Sequence, residues 1–261
     1  MDADLEGRGL MVEGRRAQVT IFIILGIVIV VGIIAAFYFI GGVDLESPGS
    51  LNPKGVVDKC VQDVVGESVD KMLFNGGEIV PTQTIAYQGD DWNYLCYQAD
   101  YYQGCYNIHP MLELQIEKEI VRDSAEGVED CFDFMRRDFE ERGYDVDVGV
   151  TNYSVDLLPG FVEINLDKKI RISKDGTSQE FDDFGTSKAS AIYDLVGIAR
   201  EVVNSEAQFC HFEYNGYMLL YPKYDIRRVD YMDSKIYRLI DRRSLEEFKF
   251  AVRSCALAPG V

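Results

Sequence analysis

The chain has 261 residues, with 44 acidic and 26 basic side chains and a formal net charge of −18. This length has room for one apolar span and one or two compact domains. No basic patch stands out that could neutralise phosphates, which excludes nucleic acid as a partner.

Residues 19–40 form the one long apolar run, 22 residues without a charge. As a helix the run is roughly 33 Å long, enough for a bilayer core of about 30 Å. It therefore predicts a transmembrane helix, with the lipid bilayer as a partner. A cleaved secretory signal fits less well, because its apolar region is shorter and is followed by a small-residue cleavage site.

Charges beside the run predict its orientation. Arg15 and Arg16 precede it, and no Lys or Arg follows before Lys54. The positive-inside rule then predicts a protein of the cell membrane with residues 1–18 in the cytoplasm and the C-terminal domain outside the cell.

A linker rich in Gly, Ser and Pro occupies residues 41–53, and a helical lobe with a hairpin is predicted over 54–143. Its first helix follows Pro53 and ends at the NGG of residues 75–77. The hairpin covers 79–106 and turns at Gly89-Asp90. A second helical stretch opens at Pro110 and is interrupted at Gly127.

Alternating apolar residues predict a second, α+β lobe over 144–261. One strand carries Val146, Val148 and Val150. Another begins at Val162 and continues through Ile172 to a hairpin turn at 174–176. A helix follows from Ile192 to about Gln208, and then four strands, YMLLY, DIRRV, SKIYRLI and FKFAV. The fold class is α+β, with a mixed or antiparallel sheet and about three helices.

All cysteines follow the apolar run, and their even number in an exported domain predicts disulfides. They are Cys60, Cys96, Cys105, Cys131, Cys210 and Cys255. Six cysteines allow 15 connectivities, of which the short spacing favours a Cys96–Cys105 pair. A zinc site lacks the CxxC spacing, and His109 and His211 do not complete a ligand pattern.

Catalytic motifs are missing from the sequence: it has no nucleophile elbow, P-loop, H-E-x-x-H or Gly-rich dinucleotide turn. We therefore expect no enzyme, no catalytic residue, no cofactor and no metal. Composition leaves a paired-carboxylate hydrolase open as a third hypothesis, because acids are numerous.

Aromatic residues are concentrated in the stretch WNYLCYQADYYQGCY. Tyr and Trp offer large rigid contact areas with a polar tip and recur at binding surfaces. The candidate binding residues are Trp92, Tyr94, Tyr101, Tyr102 and Tyr106. The alternative is that alternate aromatics of the hairpin fill the core.

Asn152-Tyr153-Ser154 is a glycosylation sequon, which makes Asn152 a candidate glycosylation site. Asp90-Asp91 could contact calcium, but no ligand loop of EF-hand spacing surrounds the pair, and surface charge explains it more simply.

The N-terminal stretch RRAQVTIFIILG resembles the class III signal of archaeal type IV pilins and archaellins. Arg16, Ala17, Gln18 and Thr20 match that pattern. The resemblance implies cleavage between Ala17 and Gln18. This family usually carries Glu four residues after the Gln, where this chain has Phe22.

The chain also resembles single-pass cell-surface proteins of small-genome archaea, a group without an established activity. The resemblance rests on the Q-V-T-I-F opening, the helix that ends in NGG, the IRISKDGT hairpin and the late FKFAVRSCALAPG. It implies an archaeal cell-surface protein. Our own expectation is a structural or adhesive role, in which the ectodomain binds an envelope glycan, a protein or a copy of itself. The alternative is a pilin-like filament subunit processed before Gln18.

Overall fold

The computed structural model describes residues 25–31, 52–149, 152–182 and 184–258. The chain divides into two compact units, Met1–Leu51 and Asn52–Val261. In the first unit, residues 25–31 are helical and exposed. The cleavage residues Ala17 and Gln18 lie outside the described ranges.

The transmembrane helix predicted for residues 19–40 is wrong by this structure. Within the described ranges, no helix is both long enough and apolar enough to cross a bilayer. The described part of the predicted span is residues 25–31, which are helical, and the rest of it lies outside the description. The predicted membrane location and orientation depended on that span and are corrected with it.

Three long helices lie in the described residues of the second unit. Helix α1 (Pro53–Phe74) starts where the Asn52 side chain accepts a hydrogen bond from the Gly55 N–H, and it ends at Asn75, as predicted. Helix α2 (Leu112–Glu141) runs through Gly127 without a break, so the predicted interruption is wrong. Helix α3 (Ile192–Phe209) matches its prediction closely.

The segment YMLLY, predicted as a strand, belongs to the short helix α4 (Tyr214–Leu220). The Glu213 side chain accepts a hydrogen bond from the Gly216 N–H and caps the helix. Tyr217 and Tyr221 then pack one turn apart, with ring centroids separated by 4.7 Å. A short apolar run fits either structure by periodicity alone, and here the cap selects the helix.

The described residues contain twelve strands, which form three sheets. A six-stranded sheet has the order β1-β2-β12-β11-β10, with β3 also paired to β2. Its β2–β12 pair is parallel, which makes the sheet mixed. The other sheets have the orders β4-β7-β8 and β5-β6-β9. The strands are β1 (Thr84–Tyr87), β2 (Asp90–Tyr97), β3 (Tyr106–Asn107), β4 (Asp145–Val148), β5 (Asn152–Leu158), β6 (Phe161–Asp167), β7 (Ile170–Lys174), β8 (Thr177–Phe181), β9 (Thr186–Ala189), β10 (Tyr224–Tyr231), β11 (Ser234–Asp241) and β12 (Glu247–Arg253).

The strand predicted from Val162 through Ile172 is two strands, β6 and β7, which belong to different sheets. The chain changes sheet at Lys168, whose buried ammonium group lies 2.7 Å from Glu129 and 4.2 Å from the centroid of the Phe132 ring. Both contacts come from α2 and hold Lys168 between the sheets. The single strand predicted there is therefore corrected.

Helices α1 and α3 pack on one face of the six-stranded sheet. That face carries most of the core of the sheet, including Leu95, Tyr237 and Phe250. Strand β2 belongs to the predicted lobe 54–143 and strand β12 to the predicted lobe 144–261. In the structure these two strands pair with each other in one sheet.

All six cysteines are paired, as Cys60–Cys131, Cys96–Cys105 and Cys210–Cys255. The predicted Cys96–Cys105 pair is confirmed. The α+β class and the disulfide framework are also confirmed, without the transmembrane helix.

Candidate binding surface

The aromatic stretch divides between core and surface. Trp92 and Tyr94 are only 5% and 6% exposed, and they form a small core with Ile236 and Ala251 on the sheet face opposite α1 and α3. The alternative reading, that hairpin aromatics fill the core, describes these two residues. Tyr106 lies exposed on β3 beside Tyr97.

Tyr101 and Tyr102 lie instead on the loop between β2 and β3, which the Cys96–Cys105 disulfide closes. The loop is joined to the C-terminal tail by backbone hydrogen bonds, from Tyr102 N–H to the Ala256 carbonyl (2.9 Å) and from Cys255 N–H to the Gln103 carbonyl (2.7 Å). The loop and the tail are thus fastened side by side.

Gly104 brings this loop against the end of α3. A Cβ atom built on Gly104 would lie 2.4 Å from the Ala207 carbonyl oxygen, so only glycine fits this contact. The loop is therefore fixed from two sides, by the tail and by the helix.

Arg253 at the end of β12 holds the tyrosines in place. Its guanidinium lies 5.2 Å from the Tyr101 ring centroid and 5.6 Å from that of Tyr97, within cation–π range. It also donates hydrogen bonds to the Asp233 carboxylate at 2.7 Å and to the Gln98 carbonyl. Burial raises the pKa of Asp233, but the hydrogen bond and the charge of Arg253, with the hydrogen bond from Ser234, together outweigh burial, and the pKa lies below its ordinary value.

An open groove of about 460 Å³ lies beside the loop and is lined by the Cys210–Cys255 disulfide. Met232, in the β10–β11 turn, and Leu257, in the tail, border it and are 82% and 64% exposed. Tyr101 and Tyr102 are 39% and 57% exposed and belong to the same surface. The Tyr102 backbone is hydrogen-bonded to the tail. Arg253 contacts the Tyr101 ring and donates a hydrogen bond to Asp233, the neighbour of Met232. We call Met232, Leu257, Tyr101 and Tyr102 the tyrosine-tail surface.

Lys235, which lines the groove, is paired with a buried carboxylate, that of Glu206. Glu206 of α3 is fully buried and accepts hydrogen bonds from Lys235 Nζ and from the Tyr237 hydroxyl, each at 2.5 Å. Lys235 Nζ also donates to the Cys210 carbonyl at 2.5 Å. Burial and the neighbouring carboxylate raise the pKa of Tyr237, so its hydroxyl stays a donor.

Charges around the groove are balanced, although the chain carries −18. Each cation is close to a carboxylate, in the pairs Arg228–Asp230 (3.2 Å), Lys235–Glu206 (2.5 Å) and Arg253–Asp233 (2.7 Å). The groove therefore lacks the net negative charge that dominates the chain, and this favours contact with apolar groups.

The remaining candidate residues lie elsewhere. Asn152 is exposed at the start of β5, beside an open cavity of about 390 Å³. Asp90 faces Lys249 at 3.6 Å, in keeping with surface charge. Across the part of the chain that is described, no three or more His, Cys, Asp or Glu residues are grouped as metal ligands would be.

Sequence reasoning missed Met232, Asp233, Arg253 and Leu257. More than 120 residues separate them from the tyrosine loop, and only the nearby Cys255 marked the tail as structured. No local sequence pattern predicts that a turn and a tail will contact a loop that is distant in the sequence.

No family model, curated protein or solved structure matches this chain. The functional conclusion therefore depends on the geometry of the surface itself.

Proposed function

We propose that this protein is a non-catalytic binding protein, and that its disulfide-linked domain recognises a protein partner through the tyrosine-tail surface. One observation carries the proposal: Tyr101 and Tyr102 are exposed on a loop that a disulfide, the tail and Arg253 hold in one conformation. The structural or adhesive role expected from the sequence is kept in this proposal, and the predicted transmembrane helix is not part of it.

The rigidity of the loop supports binding. Ordering a flexible loop on association costs free energy, and a loop already fixed in its bound form avoids that cost. Tyr side chains add large contact area with few rotatable bonds. Tyr102 also has a φ of 61°, a left-handed backbone conformation that a non-glycine residue rarely adopts and that the surrounding contacts maintain.

The composition of the surface favours a protein over a charged ligand. Tyr, Met and Arg are enriched at protein interfaces, while unpaired charges are depleted at their centres. Here two Tyr, one Met and one Leu surround paired charges. Three disulfides further suit an oxidising environment.

The test compares two double variants of the full chain as bait for proteins from the source cells. Tyr101→Ser/Tyr102→Asn removes both rings and keeps at position 102 a residue that tolerates a left-handed backbone. Leu219→Ser/Leu220→Ser removes two exposed apolar side chains from α4 and is the matched control.

We expect a specific partner to bind the wild type and the control alike, and to bind the tyrosine variant at least about 30-fold more weakly, as for loss of a hot spot of about 2 kcal/mol. Equal unfolding midpoints would show that both variants fold. Equal capture by all three proteins would refute the proposed surface.

A further inference from the structure

Charge is distributed unevenly along the domain. Helix α2 carries eleven acidic and four basic residues, a net charge of −7. Residues 223–253, which contain β10, β11 and β12, carry nine basic and six acidic residues, a net charge of +3. The domain therefore has a strongly acidic element and a mildly basic one.

Basic residues meet on the outer face of the six-stranded sheet, opposite α1 and α3. Arg227, Arg238 and Lys249 stand directly opposite one another on neighbouring strands. Like charges in this arrangement repel, and the acids Asp225 and Glu247 in the next row partly offset the repulsion.

A cavity of about 480 Å³ lies at the edge of this face, and Arg227, Arg242 and Leu245 line it together with Ile240 and the acids Asp225 and Glu247. Glu247 is 29% exposed and pairs with Arg238. The two Arg side chains are 59% and 58% exposed, while Asp225, which both of them approach, is only 24% exposed. Leu245 adds an exposed apolar side chain. We call Arg227, Arg242 and Leu245 the cationic pocket, because its cations reach solvent further than their shared carboxylate.

Helix α2 presents a surface of matching chemistry. Glu126, Asp130 and Phe134 follow at intervals of four residues and so lie on one face of the helix. All three are exposed, and within the described residues neither carboxylate has an ion-pair partner. We call these three residues the acidic knob.

The knob and the pocket cannot meet within one copy. Helix α2 packs against α1, β4 and β5. Arg238 follows Tyr237, whose hydroxyl contacts α3, so the side chains of Arg238 and of its partner Arg227 point away from the helices. The two surfaces therefore face different sides of the domain.

We propose that the cationic pocket binds the acidic knob of a second copy of this chain. Phe134 then packs against Leu245, and Arg227 and Arg242 face Asp130 and Glu126. Repulsion between two chains of −18 is screened beyond about 8 Å at 0.15 M salt, whereas ion pairs in contact are screened less. Each contact joins the pocket of one copy to the knob of another and leaves one knob and one pocket free at the two ends, so the contact is heterologous and extends into open chains.

Such chains would display the tyrosine-tail surface in many copies, and linked binding sites gain avidity without new contacts. The self-association itself does not depend on the proposed function, because it uses neither the tyrosine loop nor the tail.

The experiment is sedimentation velocity of the full chain over a range of concentrations at 0.15 M salt. The variant Arg227→Glu/Arg242→Glu reverses the charge of the cationic pocket. The variant Glu126→Lys/Asp130→Lys reverses the charge of the acidic knob. Lys169→Glu/Arg171→Glu is the control, since it changes net charge as the pocket variant does but on the β7 side.

We expect concentration-dependent multimers of the wild type and the control, and at least a tenfold weaker association of each reversed variant alone. An equimolar mixture of the two reversed variants should assemble again, because each offers the other a complementary surface. That rescue also shows that both variants fold.

Phe134→Ser should weaken association without any change of charge. A wild type that stays monomeric overturns the proposal, as do reversed variants that assemble like the wild type. Reversed variants that stay apart when mixed overturn the specific pairing of knob and pocket.

Discussion

Gly127 of α2 lies so close to Val64 of α1 that no side chain fits between them. A Cβ atom built on Gly127 would lie 2.7 Å from Cγ1 of Val64. One turn away on both helices, Cys60 and Cys131 form the disulfide that joins them. The glycine and the disulfide thus belong to one contact, which brings the two helices close together.

We expect Gly127→Ala to lower the free energy of unfolding by about 1–3 kcal/mol, because the added methyl group overpacks the contact more than the better helix propensity offsets. Gly197→Ala in α3 is the matched control, since nothing lies within 4 Å of its Cβ position. It should raise stability by up to about 1 kcal/mol. Urea unfolding measures both changes. If the two substitutions changed the free energy of unfolding in the same direction, the packing argument would be contradicted.

Val64→Ala should rescue Gly127→Ala. The double variant relieves the overlap, so we expect it to be more stable than the sum of the two single changes predicts, by about 1 kcal/mol. Additive effects in the urea experiment would mean that the helices already separate to admit the methyl group.

The Cys210–Cys255 disulfide should be reduced first. Both of its cysteines are partly exposed and line the groove, whereas Cys96 and Cys105 are buried, and in the third pair Cys131 is buried and only Cys60 is partly exposed. Thiol–disulfide exchange depends on access of the attacking thiolate. Stepwise reduction with glutathione, alkylation and peptide mass spectrometry should label Cys210 and Cys255 before the others. Earlier labelling of any other pair would contradict this order.

The Arg253–Asp233 pair should make the free energy of unfolding depend on pH in the acidic range. The pKa of Asp233 is lowered on folding, so its contribution is complete above the unfolded pKa of about 4 and is lost as the pH falls through the folded value. We expect Asp233→Asn to cost about 1 kcal/mol at pH 7, a small figure because the side chain is 37% exposed and solvent screens the pair.

The difference between Asp233→Asn and the wild type should shrink below about pH 4, as followed by urea unfolding at several pH values. Asp91→Asn, at an exposed position on β2, is the control and should change little at any pH. A constant difference between pH 7 and pH 3 would show that Asp233 acts through packing.

Glu206 and Lys235 should behave as a unit. Removing one partner leaves the other charge buried or half-buried without compensation, so Glu206→Gln should cost about 3 kcal/mol. Adding Lys235→Met should recover much of this loss, because the uncompensated Lys235 charge is then gone while the Tyr237 hydroxyl keeps an acceptor. Urea unfolding of the four proteins forms a double-mutant cycle, and additive losses would contradict the coupling.

Local chemistry was enough to predict several elements. Helix α1 follows from Pro53, its apolar spacing and the NGG stop, and α3 from its regular apolar face. The β1–β2 hairpin was predicted as well, although its turn uses Gln88-Gly89, both with positive φ, one residue earlier than expected. In each case the signal lies within a few residues of the structure it determines.

Other features depended on partners distant in the sequence. Gly127 resembles a helix break until Val64 is placed against it, and Lys168 resembles a strand residue until Glu129 and Phe132 surround it. The transmembrane helix predicted for 19–40 rested on the length and hydrophobicity of the run, and within the described ranges no helix is long and apolar enough to cross a bilayer.

The sequence by itself determined the α+β class, the even set of cysteines and the pairing of Cys96 with Cys105, because periodicity and short loops act locally. The tertiary structure alone decided which aromatics are exposed. Trp92 and Tyr94 are covered by neighbouring strands, while Tyr101 and Tyr102 lie on a loop that a distant tail holds outward. Burial is a property of what packs over a side chain, and in this protein that covering comes from residues far away in the sequence.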